Sequence, residues 1–322
     1  MALMEHFVTL FDSFFLPQGL ALFESLQQHC SDFTLWVLCL DDELEQALLK
    51  LNLPSLCLLS LSDLETTHLK ELRHQRTRAE YCWTLTPWSI HWVFCQSPSA
   101  TRVTYIDADA FFFQNPKPLL EEFGASKKGV LITEHAYAPE CDGAALSGRY
   151  CVQFITFSVS TGLEILSWWK DQCMAWCFNR FENGLFGDQK YLESFEKLWP
   201  GQVFSVGREG QFQAPWNASI FRPSEALMFH FHGLRLINND HCLLTDYSIP
   251  QTTLSQIYLP YVQLIYNFYP HLLPSIPSQS NHRLTWLSGL KLRFRKKIVL
   301  KLFQQLIPPY YGLVSRGKVT IW

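Results

Sequence analysis

Apolar and polar positions along this chain alternate between two periods. Short apolar runs, the mark of buried strands, cover 6–11, 34–40 and 55–61. Between them, 20–28 and 43–51 place apolar residues at helical spacing. Strand, helix, strand, helix, strand in about sixty residues predicts a parallel sheet with crossover helices. A long stretch, 64–94, reads as mostly helix with a break near Pro87. The run Arg102-Val103-Thr104-Tyr105-Ile106 then predicts a packed strand that leads into Asp107 and Asp109, followed by the aromatic run 111–113. Further strands are expected at 130–134, 148–159, 203–206 and 227–231, with an amphipathic helix over 161–181. The expected class is α/β, a mixed and mainly parallel sheet flanked by helices. Its domain would span 1–245, with a helical extension over 246–322.

Composition sharpens this picture in two places. The 322 residues carry a net charge of −3, but residues 247–322 hold nine basic side chains and no acidic one. The rest is acidic, which argues against a nucleic-acid binder and for a charged surface partner near the tail. Ten cysteines without a positively charged leader at 1–7 read as reduced core thiols of a cytoplasmic protein. No apolar run reaches the ~18 residues of a spanning helix. After the polar linker 275–281, residues 283–307 read as a basic amphipathic helix. It suits an anionic membrane surface, or packing on the body through its apolar stripe.

Candidate chemistry centres on Asp107 and Asp109. In open α/β sheets ligands bind beyond the carboxyl ends of strands, where two carboxylates can share a divalent cation. The same pattern also fits a plain turn, or a phosphatase of the haloacid dehalogenase type. That phosphatase pattern continues with Thr or Val where this chain has Phe111, and it wants a further acid where this chain has Leu192. Neither the dinucleotide glycine fingerprint nor the phosphate-binding loop motif is present.

Four pieces taken together resemble the nucleotide-sugar glycosyltransferases of the GT-A fold: Thr9-Leu10-Phe11-Asp12, Tyr105-Ile106-Asp107-Ala108-Asp109, Gly187-Asp188-Gln189 and His230-Phe231-His232-Gly233. The resemblance is to the retaining group that includes glycogenin and the lipopolysaccharide galactosyl- and glucosyltransferases. Glu80-Tyr81-Cys82-Trp83-Thr84 and Ala214-Pro215-Trp216-Asn217 also look like a bacterial set of such proteins.

The resemblance implies transfer of a sugar, with retention, from a nucleotide-diphosphate sugar to a glycan or lipid-linked acceptor. A UDP-hexose is the implied donor. It implies Mn²⁺ or Mg²⁺ held by Asp107, Asp109 and His230, with Asp107 shared with the ribose. His230 matches the spacing to Gly233; His232 would contact the diphosphate, or the two histidines would exchange roles. Where the relatives place a Lys on the diphosphate this chain has Leu236, and Arg235 is the nearest substitute.

Thr9 and Asp12 are expected at the nucleoside. Arg78 is expected at the diphosphate or sugar (or in a surface pair with Glu80), Gln153 at the donor sugar, and Trp216 and Asn217 on the acceptor side. Asp188 and Gln189 would lie beside the transferred sugar as catalytic residues, although Asp188 also reads as a helix N-cap. Two further readings stand beside this one: a non-catalytic nucleotide-sugar-binding protein and a metal-dependent phosphohydrolase. The implied location is the cytoplasm, with peripheral contact at the inner face of the plasma membrane.

Overall fold

The protein is described here from a computed structural model, which covers residues 4–207, 209–237, 241–272, 310–315 and 318–321. The expected linker 275–281 and basic helix 283–307 lie outside the described residues.

Ten strands build the part that carries the site: β1 (Glu5–Phe11), β2 (Phe33–Cys39), β3 (Leu56–Ser60), β4 (Arg102–Ile106), β5 (Ala110–Phe112), β6 (Val130–Glu134), β7 (Tyr150–Ser158), β8 (Val203–Val206), β9 (Phe212–Gln213) and β10 (Met228–His230). Seven of them form one sheet in the order β3-β2-β1-β4-β7-β6-β8. The pairs β1–β2, β2–β3, β1–β4 and β6–β8 are parallel, while β7 runs antiparallel to both β4 and β6. The expected mixed, mainly parallel sheet is therefore present.

Strand β1 shows why its run reads as continuously apolar. Val8 and Leu10 enter one core and Phe7 and Phe11 enter another, so the strand is buried on both faces. Helices cover both faces. Leu16–His29 packs through Leu16, Leu20, Leu22, Phe23 and Leu26 into the core of Phe7 and Phe11. Arg78–Gln96 packs through Tyr81, Leu85, Ile90 and Val93 into the core of Val8 and Leu10.

The topology sets the position of a site. From β1 the chain moves outward to β2 and β3, whereas β4 opens the other half of the sheet. The carboxyl ends of β1 and β4 therefore flank the switch point, where the diverging connections leave a crevice. Val8 lies opposite Tyr105, so the chain past β1 and the Asp107–Asp109 segment leave the sheet side by side. A second, small sheet leans over this edge, with β10 antiparallel to β5 and parallel to β9. Behind it, Tyr261 of the helix Leu259–Leu272 stacks on Phe231 with ring centroids 3.6 Å apart.

Two helical expectations are corrected. The stretch 64–94 does not break near Pro87; it breaks at Arg76 and Thr77, between helices Thr67–Gln75 and Arg78–Gln96. Thr77 and Glu80 form a reciprocal capping box that starts a new helix there. Pro87 stays inside that helix. The helix expected over 161–181 spans only Leu163–Ala175, because Trp176 turns extended.

At the opposite end of β1 and β4, buried Glu5 and Arg102 form an ion pair, with Arg102 Nε donating to Glu5 Oε2 at 2.8 Å. Removing one partner leaves an uncompensated buried charge. Glu5→Ala should lower the unfolding free energy by about 3 kcal/mol in urea titration. Glu5→Leu combined with Arg102→Leu should lose less, because the double variant buries no lone charge.

Candidate functional site

The site begins where β4 ends. Asp107 N–H donates to the carbonyl of Gln153 in β7 at 3.2 Å, and Ala110 N–H closes back on the carbonyl of Asp107 at 3.1 Å. This turn carries both carboxylates. On its far side β5 pairs with β10, which sets His230 opposite Ala110, and Phe231 N–H donates to the carbonyl of Asp109 at 2.8 Å. Two stretches more than a hundred residues apart are thus joined by backbone hydrogen bonds beside the acids.

His230 Nε2 lies 3.1 Å from Asp109 Oδ1 and 3.6 Å from Asp107 Oδ2. One ligand atom from each of the three residues falls within 4.8 Å of the others, and among the described residues this is the group that could hold a metal ion. The side chains are 28%, 13% and 7% exposed for Asp107, Asp109 and His230, so the cluster opens to solvent mainly through Asp107. Two carboxylate oxygens and an imidazole nitrogen suit a borderline-hard divalent cation such as Mn²⁺. The donor set fits the implied metal.

The charges of the cluster depend on one another. Burial opposes a charge on His230, but Asp109, then Cys151 and Asp107, hold its imidazole well above its ordinary value. Burial would raise Asp109, but His230 outweighs it and holds the carboxyl well below the usual range. For Asp107 burial prevails over His230 and raises the carboxyl. Tyr105, two residues earlier on the same face of β4, donates its hydroxyl to Asp107 Oδ1 at 2.9 Å.

The remaining expected residues fall into distinct places. Asp188 is buried and close enough to Asp107 to feel its charge; burial first and that charge second raise its carboxyl well above the ordinary range. The N-cap alternative does not hold, since Asp188 gives no side-chain cap to the turn Gln189–Ser194. Its backbone carbonyl accepts from Trp169 Nε1 at 2.9 Å. Gly187, at φ +54, turns the chain into Asp188 over the ring of Trp83. Gln189 follows, half-buried.

Thr9 is buried, with no hydrogen-bond partner for its hydroxyl among the described residues. Asp12 accepts from Phe14 N–H at 3.0 Å and pairs with Arg78 Nε at 2.7 Å. Arg78 also reaches Asp41 at 3.2 Å. Arg78 and Glu80 are therefore not a surface pair, because Glu80 instead caps its own helix and accepts from Asn179 N–H at 2.7 Å. Beside this bridge opens a cavity of about 490 Å³ lined by Ser13, Phe14, Asp41, Arg78, Tyr81 and Cys82 among others.

His232 stands outside the three-residue group. It is exposed, and its ring meets that of Trp216 at 5.6 Å. Gly233, at φ +83, forms the turn in which Leu234 N–H donates to the carbonyl of Phe231 at 3.0 Å. Arg235 is exposed and lies over the ring of Phe15 at 5.3 Å.

Trp216 and Asn217 are corrected from acceptor contacts to supports. Both are buried; Trp216 Nε1 and Asn217 Nδ2 donate to the carbonyl of His135 at 2.8 and 2.9 Å, and Trp216 sets its ring edge-on to His230. The sequence assigns no role to Tyr105, which opens the motif ending in Asp109, or to Cys151. Burial alone would push the Cys151 thiol up, but His135 and His230 beside it bring it down to about 7. Strand alternation from Asp107 was a signal for Tyr105. Cys151 had none.

No protein-family model matches the chain. Mouse xyloside xylosyltransferase 1, solved in its apo form, superposes with a TM-score of 0.48 at 12% identity, covering 72% of this chain and 99% of that one. The galactosyltransferase LgtC, solved with donor and acceptor sugar analogs, gives a TM-score of 0.49 at 11% identity, covering 83% of this chain and 99% of that one. Overlaps this weak assign neither fold nor activity. Uncharacterized protein YfnF of Bacillus subtilis (strain 168) is 31% identical over 277 residues, covering 80% of this chain and 89% of that protein. Identity of that extent over most of both chains makes them kin, and the chain belongs to the same family as YfnF.

Proposed function

We propose that this protein is a metal-dependent glycosyltransferase of the GT-A type, moving a hexose from a UDP-sugar to a saccharide or lipid-linked saccharide in bacterial surface-glycan synthesis. The observation that carries the reading is the convergence of Asp107, Asp109 and His230 on one point at the switch of the sheet. A divalent cation there supplies Lewis-acid stabilisation for the charge that builds on a departing diphosphate.

The residues take roles that follow from their positions. Asp107, Asp109 and His230 hold the cation, and Arg235 stands near enough to Asp109 to lower its carboxyl further, on the side where phosphate oxygens would lie. The cavity beside Arg78 has the size and mixed polar and aromatic lining that a nucleoside needs. Thr9, expected at the nucleoside, is instead sealed inside β1 with its hydroxyl out of a ligand's reach, while Asp12 holds Arg78 over the ring of Phe14. Asp188 and Gln189 hold the transferred sugar, next to Asp107. His232 and Gly233 contribute the exposed rim of the phosphate side, His232 through its ring and Gly233 through its backbone.

Retention of configuration and the division at residue 245 belong to the same proposal. So does a cytoplasmic location with the basic tail at the membrane. No helix among the described residues is long and apolar enough to cross a membrane. The phosphohydrolase reading gains no support, because Leu192, where it wants an acid, is a fully buried core residue.

Two measurements test the proposal. Only neutral imidazole ligates a cation, and in the metal-free protein the two carboxylates keep His230 protonated to higher pH than a free imidazole. Mn²⁺ binding should therefore release a proton and strengthen as pH rises, by up to about tenfold per unit, until His230 is neutral without metal. Calorimetry in buffers of different ionisation enthalpy reads this directly, and pH-independent binding would contradict it.

The second is release of nucleoside diphosphate from a panel of nucleotide sugars, with and without Mn²⁺. Turnover of one sugar is expected, reduced on the order of 100-fold or more by Asp109→Ala. Asp188→Asn should lower kcat/KM for the donor by a similar order. Absence of binding to every nucleotide sugar would refute the assignment.

A further inference from the structure

Gln153 ties two of the three candidate ligands together. Its backbone carbonyl accepts from Asp107 N–H at 3.2 Å, and its side-chain Oε1 lies 3.1 Å from His230 Nδ1. The side chain is fully buried, so its commitment to the ring leaves little of it for a ligand. Its Nε2 has no partner among the described residues.

The orientation of this amide follows from what the ring must do. With Oε1 on the ring, Nδ1 carries a proton and donates it, so that once the ring is neutral its Nε2 lone pair faces Asp109 and Asp107. With the amide reversed, Nδ1 would have to accept, and neutral imidazole would then carry its proton on Nε2, between the ring and any cation. Only the first arrangement permits ligation. It also accounts for an otherwise unfavourable feature, a buried amide N–H with no partner, because the oxygen is the end that is used.

We propose that Gln153 is a positioning residue for the metal site: its Oε1 fixes His230 as the Nδ1–H tautomer and aims Nε2 at the point shared with Asp107 and Asp109. The inference rests on the metal reading above. A partner of this kind restricts ring rotation and raises ligand basicity, effects worth 10–100-fold in metal affinity. Register adds to the aim. Ile106 of β4 lies opposite Phe154 of β7, so Gln153 sits one step beyond the paired region, level with Asp107.

The test titrates Mn²⁺ into the full chain, reading free Mn²⁺ by electron paramagnetic resonance, for wild type, Gln153→Met, Gln153→Glu and His230→Ala. Gln153→Met should weaken binding about 10–100-fold, and Gln153→Glu, which restores an acceptor, should stay within about threefold of wild type. A role in packing alone predicts otherwise: Met removes an unpaired buried N–H and would leave affinity unchanged. Wild-type affinity in Gln153→Met, or an equal loss in Gln153→Glu, overturns the proposal.

His230→Ala separates the two layers. If it binds Mn²⁺ as wild type does, the metal reading falls and this inference with it. If it loses binding while Gln153→Met keeps it, only the positioning role falls. Should Gln153→Met not fold, nitrogen-15 spectra of histidine in the Zn²⁺-loaded wild-type protein decide the point. A proton on Nδ1 of His230 supports the proposal, and a proton on Nε2 overturns it.

Discussion

Two carboxylates set two residues apart at the end of a buried strand cannot both hold their charge away from water unless something compensates them. In this protein His230 does so, and much of the surrounding structure serves to bring it there. Asp107 and Asp109 leave the sheet on a turn, and an imidazole from a strand far along the chain must meet them within hydrogen-bonding range. The small sheet of β5, β9 and β10 delivers it. Trp216 closes one side of the ring, Gln153 takes its other nitrogen, and Tyr105 anchors Asp107. Such an arrangement brings three possible ligand atoms together, and His230 would have to give up its Nε2 proton before a cation could take that place.

The main sheet was legible because its strands are buried on both faces, and so write their positions as continuous apolar runs rather than as a pattern needing a partner. Runs 6–11, 34–40 and 130–134 each fall within a residue of the observed β1, β2 and β6. The pair Asp107 and Asp109 was legible for a related reason, since a strand that ends in acids announces a ligand edge. Helix boundaries were less so. The start at Arg78 is set by a reciprocal bond between Thr77 and Glu80, a local capping signal, and not by the proline at 87.

What could not be read were contacts between residues distant in sequence. Gln153 and His230 are 77 positions apart, and nothing in either neighbourhood names the other. The resemblance placed Gln153 at the donor sugar, and the fold brings its amide to the ring of His230. Trp216 and Asn217 misled for the opposite reason. An aromatic and an amide side by side resemble a sugar platform, yet both point inward and satisfy the carbonyl of His135.

The described positive charge near the site is mostly spoken for by other groups. Arg78 stands at the end of β1, where a phosphate clamp would be looked for, but it is already engaged by Asp12 and Asp41. Arg76 is buried and donates to the carbonyls of Cys173 and Met174. Arg235 is exposed, on an aromatic ring rather than on a carboxylate. Among these three described arginines only Arg235 is open to water without a carboxylate on it, and one such guanidinium is a weak counter to a nucleoside diphosphate. On the glycosyltransferase reading proposed above, charge on a leaving diphosphate would fall chiefly on a cation held by Asp107, Asp109 and His230, so catalysis would be lost with the metal rather than with any single described arginine.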